Sequence, residues 1–267
     1  MVITTKNEEE NIGSCLRSIK NQTYRNVEIV VVDNFSKDNT PKISKNYTHK
    51  VYLGGPERSA QRNLGISVSR GKYVLYLDAD MTLSSEVVKE CVRLCEERPV
   101  DALYIPERIV GEGFWVGVRD FERSFYNGTV IDAVRFFRRS LFEEAGGFDE
   151  NLTGPEDADL DKRLRKIGNV GIIGAELYHN EGRFSFKKYL DKKTYYSKSY
   201  SLYVEKWRGD DADVRKQYGV WYRLFGVFFE GGKWRRLLMH PIKTIGVYII
   251  VFRQGVVYIK WKLSAKT

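Results

Sequence analysis

Two carboxylates separated by a single residue, Asp78 and Asp80, directly follow an apolar run at residues 72–77. The run is short, rich in aromatic and branched side chains and preceded by a turn signal, a pattern that predicts a buried strand. Because side chains alternate along a strand, we expect both carboxylates on one side and Ala79 on the other. Like charges this close repel each other unless a cation lies between them, and Mg²⁺ or Mn²⁺ prefers such oxygen ligands together with substrate phosphates. The pattern therefore favours a metal site at a strand end over a solvated acidic loop.

A second pair of carboxylates, Glu156 and Asp157, follows Pro155 at the start of a helical pattern. A carboxylate in the first turn of a helix is stabilised in its ionised form by the helix dipole. A purely structural role, as dipole-compensating acids with an Asp159–Arg163 ion pair four residues apart, suits Glu156 and Asp159 better than Asp157. Asp157 is therefore the candidate for a positioned, ionised carboxylate.

The strongest strand pattern, residues 27–32, ends on Asp33. A carboxylate at such a strand end can accept a hydrogen bond from a base N–H or a ribose hydroxyl. Nearby Ser36 and Asp38 are also explained as simple helix caps, and for Ser36 this reading is at least as good. No Gly-x-Gly-x-x-Gly follows the first strand and no Gly-Lys-Ser/Thr occurs, so nicotinamide and P-loop chemistry are poorly supported.

Strand and helix patterns alternate along the first hundred residues. Strands are predicted at residues 1–5, 27–32, 50–53, 72–78 and 100–105. Helices are predicted from a cap at Asn7 to residue 19, at 37–46, at 58–69, and from a cap at Ser84 or Ser85 to residue 97. This alternation predicts an α/β fold, Rossmann-like, with a mostly parallel, doubly wound sheet and helices on both faces. Ligand-binding loops then gather at the carboxyl ends of the strands, after Thr5, Asp33 and Leu77.

Positive charge is concentrated near the C-terminus. Residues 215–267 contain eleven Lys or Arg and one acid, Glu230, whereas the first 214 residues contain 33 basic and 34 acidic residues. This shift in composition predicts two domains, residues 1–205 and residues 206–267, which we call the tail.

The tail is rich in aromatic, apolar and basic residues. Its longest uncharged stretch is shorter than the roughly 20 residues that span a bilayer. We therefore expect amphipathic helices that lie in the membrane interface and are attracted to anionic lipid. A tilted span from Pro241 to Lys262, with Arg253 buried, is the less favoured alternative. Nucleic-acid binding is disfavoured because so much apolar surface would face polar phosphate.

The three cysteines, Cys15, Cys91 and Cys95, are too few and wrongly spaced for a disulfide framework or a metal cluster. They fit a reducing compartment. The first residues run straight into a strand pattern with no signal peptide. With the tail, these features predict a peripheral or monotopic protein at the cytoplasmic face of the cell membrane.

Seven segments resemble, in order, the motifs of family 2 glycosyltransferases with the GT-A fold, over about residues 1–205. The nucleotide-sugar half is represented by Thr4-Thr5-Lys6-Asn7-Glu8, Val31-Val32-Asp33-Asn34-Phe35-Ser36-Lys37-Asp38, Arg62-Asn63-Leu64-Gly65 and Leu77-Asp78-Ala79-Asp80. The acceptor half is represented by Phe136-Phe137-Arg138-Arg139, Gly146-Gly147-Phe148-Asp149 and the segment from Glu156 to Arg163.

The resemblance implies roles for individual residues. Nucleotide-sugar binding is implied for Thr5, Asn7, Glu8, Asp33, Arg58, Arg62, Asp78 and Glu156, with Arg58 and Arg62 competing for one contact to the nucleoside. A metal cofactor, Mg²⁺ or Mn²⁺, is implied at Asp78, Asp80 and His179, and a structural role is the open alternative for His179. Asp157 is implied as the general base, which takes the proton of an attacking sugar hydroxyl with inversion at the anomeric carbon.

The layout is similar to that of archaeal membrane-associated mannosyltransferases, a reduced form of the cellulose-synthase arrangement. The Gln-x-x-Arg-Trp motif of processive synthases is absent, which argues against polymer synthesis. This resemblance implies transfer of a hexose, by weak preference mannose from GDP-mannose rather than a UDP-sugar, to a hydroxyl of a lipid-linked glycan. A dolichyl-phosphate sugar synthase and a non-catalytic sugar- or membrane-binding scaffold are the alternatives. The former needs no base, because its attacking phosphate is already ionised.

Overall fold

The structure is a computed structural model that describes residues 1–208 and 211–264, with side chains as far as residue 259. The chain divides into two compact units. Unit 1 comprises Met1–Arg108, Ala133–Glu150 and Glu156–Asn180, and unit 2 comprises Ile109–Asp132, Asn151–Pro155 and the chain from Glu181 onward.

This division differs from the division by charge near residue 205. Unit 2 contains the tail, and it also contains residues 109–132, 151–155 and 181–205. The difference arises because charge follows composition along the chain, whereas a compact unit is defined by which segments pack together. Gly209 and Asp210, at the predicted boundary, lie outside the described residues.

Unit 1 contains a seven-stranded sheet in the order β3-β2-β1-β4-β8-β6-β9. The strands of the chain are β1 (Val2–Thr5), β2 (Val30–Asp33), β3 (Val51–Leu53), β4 (Tyr73–Asp78), β5 (Met81–Leu83), β6 (Ala102–Tyr104), β7 (Glu107–Glu112), β8 (Phe136–Arg138), β9 (Val170–Ile172) and β10 (Leu177–Arg183). All pairings are parallel except those of β8, which is antiparallel to β4 and β6. The predicted mostly parallel α/β sheet is confirmed. Strands β5, β10 and β7 form a separate three-stranded sheet.

Helices connect and follow these strands. They are α1 (Ile12–Lys20), α2 (Thr40–Lys45), α3 (Arg58–Val68), α4 (Val87–Glu97), α5 (Phe114–Arg123), α6 (Arg139–Glu144), α7 (Glu156–Ile167), α8 (Phe186–Ser197), α9 (Tyr200–Lys206), α10 (Ala212–Tyr218), α11 (Val227–Phe229), α12 (Trp234–Met239) and α13 (Pro241–Ser264). A π-helical turn at Tyr222–Gly226 and a 3₁₀ turn at Glu230–Gly232 complete the described elements.

Three predicted helix starts are wrong. Helix α1 begins at Ile12 because Asn7 adopts a left-handed backbone (φ 54°) and accepts a hydrogen bond from the Lys37 amide instead of capping a helix. That same contact draws Lys37 into a loop, so α2 begins only at Thr40. Helix α4 begins at Val87, so the residue at its cap position is Glu86 rather than the predicted Ser84 or Ser85.

Alternating side chains of the central strands pack on opposite faces of the sheet. Ile3, Val31 and Leu77 lie in one buried cluster with residues of α1 and α4, and Ala79 and all three cysteines lie in the same cluster. Val2, Val32 and Tyr76 lie in another, with residues of α3, α6 and α7. This alternation is the physical reason that helices cover both faces.

Unit 2 has its own apolar core, formed by side chains of α5, α11, α12 and α13 that include Phe121, Phe228 and Val247. Helix α13 has the length and composition of a membrane span over Pro241–Ile259, with a mean hydropathy of 1.5 and 22% of this stretch buried. The less favoured alternative, a tilted span from Pro241 to Lys262, is therefore compatible with the length and composition of this helix, and the choice between it and interface helices stays a prediction. Lys243 and Arg253 interrupt the apolar sequence without interrupting the helix.

A second apolar face of α13 is exposed. Its members recur every three or four residues and so form one stripe along the helix. They are Ile242, Ile245, Ile249, Phe252, Val256 and Ile259, each between 41% and 73% exposed. The tail's Lys260, Lys262 and Lys266 lie outside the residues whose side chains are described.

Candidate active site

Three neighbouring strands bring the predicted loops to one edge of the sheet. Thr5 of β1 is level with Asp33 of β2, and Thr4 of β1 is level with Asp78 of β4. All three strands run in the same direction, so the loops that follow them meet at their carboxyl ends, as the alternation predicts.

The loops after β1 and β2 are tied together through Ser36. The Asp33 carboxylate accepts hydrogen bonds from the Ser36 hydroxyl (2.5 Å) and the Ser36 amide (2.8 Å). The Ser36 hydroxyl oxygen in turn accepts from the Asn7 amide at 2.7 Å. Ser36 therefore orients Asp33 rather than capping a helix, and Asn7 holds the two loops together.

Two further predicted nucleotide-binding residues lie beside this junction. The Glu8 amide donates to the Thr40 hydroxyl at 2.7 Å, and the Glu8 carboxylate accepts from the Asn11 side chain at 2.7 Å. The Thr5 hydroxyl oxygen is buried and has no hydrogen-bond partner among the described residues. An unpaired buried hydroxyl is costly, so Thr5 offers a group that a bound ligand can satisfy.

Five charged side chains converge beside β4. We call them the arginine cluster; its members are Arg58, Arg62, Asp78, Glu156 and Asp157. Arg62 reaches Asp157 Oδ1 with Nη1 (2.6 Å) and Asp78 Oδ1 with Nη2 (3.0 Å). Arg58 lies 3.0 Å from Glu156 Oε1 and 3.6 Å from Asp78 Oδ2. The two arginines share Asp78 and Glu156, which lies 3.5 Å from Arg62 Nη1, and Arg62 also contacts Asp157, so Arg62 is the one at the centre.

Arg62 is fully buried between two aromatic rings. Its guanidinium carbon lies 4.6 Å from the Tyr76 ring centre and 5.2 Å from the Phe148 ring centre. Burial raises the pKa of Asp78, but the positive charges of Arg62, Arg58 and Arg135 outweigh this effect and hold the pKa well below its usual range. At Glu156 burial is the larger effect, and together with the charge of Asp157 it raises the pKa.

Asp157 has one oxygen held and the other available. Its Oδ1 atom accepts from Arg62 and lies 3.2 Å from the Tyr76 hydroxyl. No hydrogen bond joins Oδ2 to any residue that the structure describes, and a quarter of the side chain is exposed (25%). The expected structural pair, Asp159 with Arg163, is present at 2.7 Å. Asp157 is therefore oriented through one oxygen and able to receive a proton on the other.

Asp80 belongs to a different group of side chains. We call Asp80, Glu107 and His179 the histidine cluster. His179 Nε2 lies 3.2 Å from Asp80 Oδ2, and His179 Nδ1 lies 3.0 Å from Glu107 Oε1. Burial lowers the pKa of His179, but the hydrogen bonds to both carboxylates outweigh it and raise the pKa to about 10.

The two carboxylates of the tripeptide therefore contact different partners. Strand β4 ends at Asp78, so the alternation that predicted a shared side does not extend to Asp80. The neutralising cations are residues of the chain itself: arginines at Asp78 and histidine at Asp80.

A divalent metal fits the histidine cluster better than the arginine cluster. Asp80 Oδ1 is buried with no hydrogen-bond partner among the described residues. Neighbouring ligands of an octahedral ion at about 2.1 Å lie roughly 3 Å apart, close to the 3.2 Å between Asp80 Oδ2 and His179 Nε2. The described residues include no group of three or more His, Cys, Asp or Glu side chains suited to a metal. The chain thus offers two donors, which leaves ligand positions for phosphate and water.

Three residues of the site were not predicted from the sequence: Tyr76, Glu107 and Arg135. A signal existed for Tyr76, because it precedes Asp78 by two in the same strand and so shares its face. Glu107 and Arg135, which pair at 3.4 Å, belong to no motif or spacing that could have indicated them.

Residues 1–146, more than half of the chain, match the family model described as glycosyl transferase family 2. The chain belongs to glycosyltransferase family 2. The chain is similar to several curated proteins. One is poly(ribitol-phosphate) beta-N-acetylglucosaminyltransferase TarS of Staphylococcus aureus, which is 24% identical to the chain over 81% of the chain's length. Glycosyltransferase GlyA of Streptococcus pneumoniae is 24% identical over 77%. The chain spans only 42% of TarS and 29% of GlyA.

Solved structures confirm the predicted GT-A fold of this family 2 glycosyltransferase. The mannosyltransferase PcManGT of Pyrobaculum calidifontis, in complex with GDP-Man and Mn²⁺, has a TM-score of 0.65 at 17% identity. The match covers 97% of this chain and 86% of that one. The structure of S. aureus TarS 1–349 has a TM-score of 0.61 at 18% identity, covering 95% and 79%.

Proposed function

We propose that this chain is a metal-dependent inverting glycosyltransferase. In this proposal it transfers a hexose, by preference mannose from GDP-mannose, to a hydroxyl of a lipid-linked acceptor at a membrane. The observation that carries the proposal is Asp157, whose Oδ1 is held by Arg62 while its Oδ2 makes no hydrogen bond to a described residue. A general base must be both oriented and free to accept the proton.

The donor is proposed to bind at the carboxyl ends of β1, β2 and β4. The Thr5 hydroxyl and the Ser36-oriented carboxylate of Asp33 suit the hydroxyl and N–H groups of a nucleoside. Arg58 is partly exposed (28%), whereas Arg62 is fully buried, so Arg58 is the arginine better able to meet a ligand. The complexes of PcManGT with GDP-Man and of TarS with UDP-GlcNAc support a nucleotide-sugar donor.

The metal is proposed to bind at Asp80 and His179, whose donor atoms fit a divalent cation. When bound, such an ion supplies charge neutralisation for a departing diphosphate. The donor set of one carboxylate and one imidazole suits Mn²⁺ better than Mg²⁺, which prefers oxygen alone. The Mn²⁺ of the PcManGT complex is consistent with this choice.

Membrane association is proposed for the apolar face of the tail. The stripe on α13 is accompanied by exposed Trp221, Phe225, Phe229, Leu238 and Met239. Basic residues and Trp are interleaved with these side chains, as is typical of helices at an anionic membrane surface. The same exposed surface supports an acceptor that carries a lipid, and α13 has the length and composition either to lie in the interface or to cross it.

The decisive test of the transfer reaction is Asp157→Asn. The amide retains an oxygen for Arg62 but cannot take a proton, so we expect kcat to fall by about 10² to 10⁴. Asp159→Asn, at a carboxylate paired with Arg163, is the control for loss of charge in the same helix. Undiminished transfer by the Asp157 variant would exclude its role as base and favour the dolichyl-phosphate sugar synthase.

The donor is identified by thermal shift with UDP, GDP and their sugars, each with Mn²⁺, because a ligand at 100 times its Kd stabilises by about 2.7 kcal/mol. We expect the largest shift with GDP-mannose. A larger shift with a UDP-sugar replaces the donor in the proposal, and no shift with any of them favours a non-catalytic scaffold.

Membrane association is tested by flotation of the protein with two kinds of vesicle, one of phosphatidylcholine alone and one that also contains one third phosphatidylglycerol. We expect binding to the anionic vesicles, reduced by the double variant Ile245→Ser and Phe252→Ser. Leu202→Ser, at a half-exposed leucine of α9, is the control. Equal binding by both variants would remove the α13 stripe from the proposal.

A further inference from the structure

The imidazole of His179 is held from its far side by a buried carboxylate. Glu107 is 5% exposed and its Oε1 lies 3.0 Å from His179 Nδ1. The other oxygen of Glu107 is 3.4 Å from Arg135 Nη2, so both ends of this carboxylate are engaged. Arg135 is itself fixed above the Tyr76 ring, 5.6 Å from its centre. Glu107 therefore has little freedom to leave the histidine.

This arrangement determines which nitrogen of His179 faces the carboxylate of Asp80. An imidazole that donates its Nδ1–H to a carboxylate presents Nε2 on the opposite side, where a bound metal ion takes the place of the Nε2 proton and the displaced proton goes to solvent. Nε2 is the atom that lies 3.2 Å from Asp80. Histidines that bind metals commonly donate their second N–H to a carboxylate, and removal of that carboxylate weakens metal binding by about 10- to 100-fold.

We propose that Glu107 is a positioning residue for the metal site: it orients His179 so that Nε2 and the carboxylate of Asp80 bind the same divalent cation. The inference rests on the metal site of the proposed function and extends it to a residue outside the seven family 2 motifs of the chain. Glu107 acts only through His179 and Arg135 and touches neither donor nor acceptor in this proposal.

The test is a Mn²⁺ titration of the purified chain, monitored by the electron paramagnetic resonance signal of unbound Mn²⁺, with GDP or UDP present. We expect Glu107→Ala to weaken Mn²⁺ binding by about 10- to 100-fold. Glu107→Gln keeps an acceptor for Nδ1–H but loses the charge, so we expect it to fall between Ala and wild type. Glu176→Gln, at a carboxylate paired with partly exposed Arg108, is the control and should bind Mn²⁺ as wild type does.

The outcomes separate the inference from the proposal on which it rests. Absence of saturable Mn²⁺ binding by the wild-type chain overturns the metal site and Glu107's role with it. Normal wild-type binding, with the folded Glu107→Ala variant within twofold of it, overturns only the role of Glu107. A purely structural Glu107 would lower Tm while leaving Mn²⁺ affinity unchanged. If the Ala variant does not fold, the isosteric Gln variant decides, and an affinity equal to wild type overturns the inference.

Discussion

The arginine cluster and the histidine cluster start from carboxylates only two residues apart, yet they are built differently. In the arginine cluster, Asp78 Oδ1 accepts from both Thr4 and Arg62, and the buried guanidinium joins it to Asp157. In the histidine cluster, one oxygen of Asp80 meets His179 and the other is buried with no partner among the described residues. Charged atoms that are paired with one another hold the surrounding side chains in place, whereas a buried oxygen without a partner leaves a position for a ligand. The comparison therefore predicts that the first cluster matters most to folding and the second most to binding.

The largest effect is expected from Arg62→Met. Loss of the guanidinium leaves Asp78 and Asp157 without their central cation, and breaking such a buried group costs about 3 to 5 kcal/mol. The loss in the free energy of unfolding is measured by urea denaturation. Arg58→Met, at a partly exposed arginine, should cost much less. Equal losses for both variants would show that Arg62 is not the centre of the cluster.

A carboxylate one turn along α7, Asp161, tests a site where burial outweighs the arginine, because Asp161 pairs with Arg165 at 2.8 Å and its pKa is still raised. Burial raises the pKa of Asp161 to about 6. The folded pKa exceeds the unfolded one, so this group's contribution is most favourable below about pH 4, is lost as pH rises to about 6, and stays lost above. Asp161→Asn keeps an acceptor for the Val134 amide. Relative to wild type it should gain about 2 to 3 kcal/mol between pH 4 and pH 7. Unfolding free energies that run parallel for both proteins across this range would contradict the assignment.

A smaller effect is expected at the edge of the arginine cluster. Tyr76→Phe removes a hydroxyl that donates to the buried Val134 carbonyl (2.9 Å) and lies 3.2 Å from Asp157. Leaving that carbonyl unsatisfied should cost about 1 to 2 kcal/mol. A concurrent fall in kcat without a change in donor KM would indicate that the hydroxyl also orients Asp157. If KM changes instead, Tyr76 belongs to the donor site.

The smallest effect on folding is expected from Asp80→Asn. The amide oxygen can still accept from His179, so the free energy of unfolding should change by at most about 1 kcal/mol. The same substitution should abolish the part of the nucleotide-induced thermal shift that depends on Mn²⁺. A large loss of stability, with the Mn²⁺ effect preserved, would reverse the contrast between the two clusters.

Much of the scaffold could be predicted from local pattern. Three elements were predicted to within about three residues: the strand before Asp78, the strand ending on Asp33 and helix α3. The reason is that the spacing of apolar residues along the sequence indicates which side chains of an element are buried. Antiparallel β8 was not predicted. Its Phe136-Phe137-Arg138 segment is too short to show a period, and its direction depends on pairing with β4 and β6.

The sequence by itself determined the central parallel strands of the sheet, the loops at their carboxyl ends and the residue types that could do chemistry there. Only the tertiary structure decided which charges meet. Arg62 and Asp157 are 95 residues apart in the chain, and Asp80 and His179 are 99 apart. Ionic contacts at such separations carry no periodic signal, because they depend on how elements pack rather than on what precedes or follows each residue. For that reason the sequence predicted one shared site for Asp78 and Asp80, and the fold gave each carboxylate its own cation.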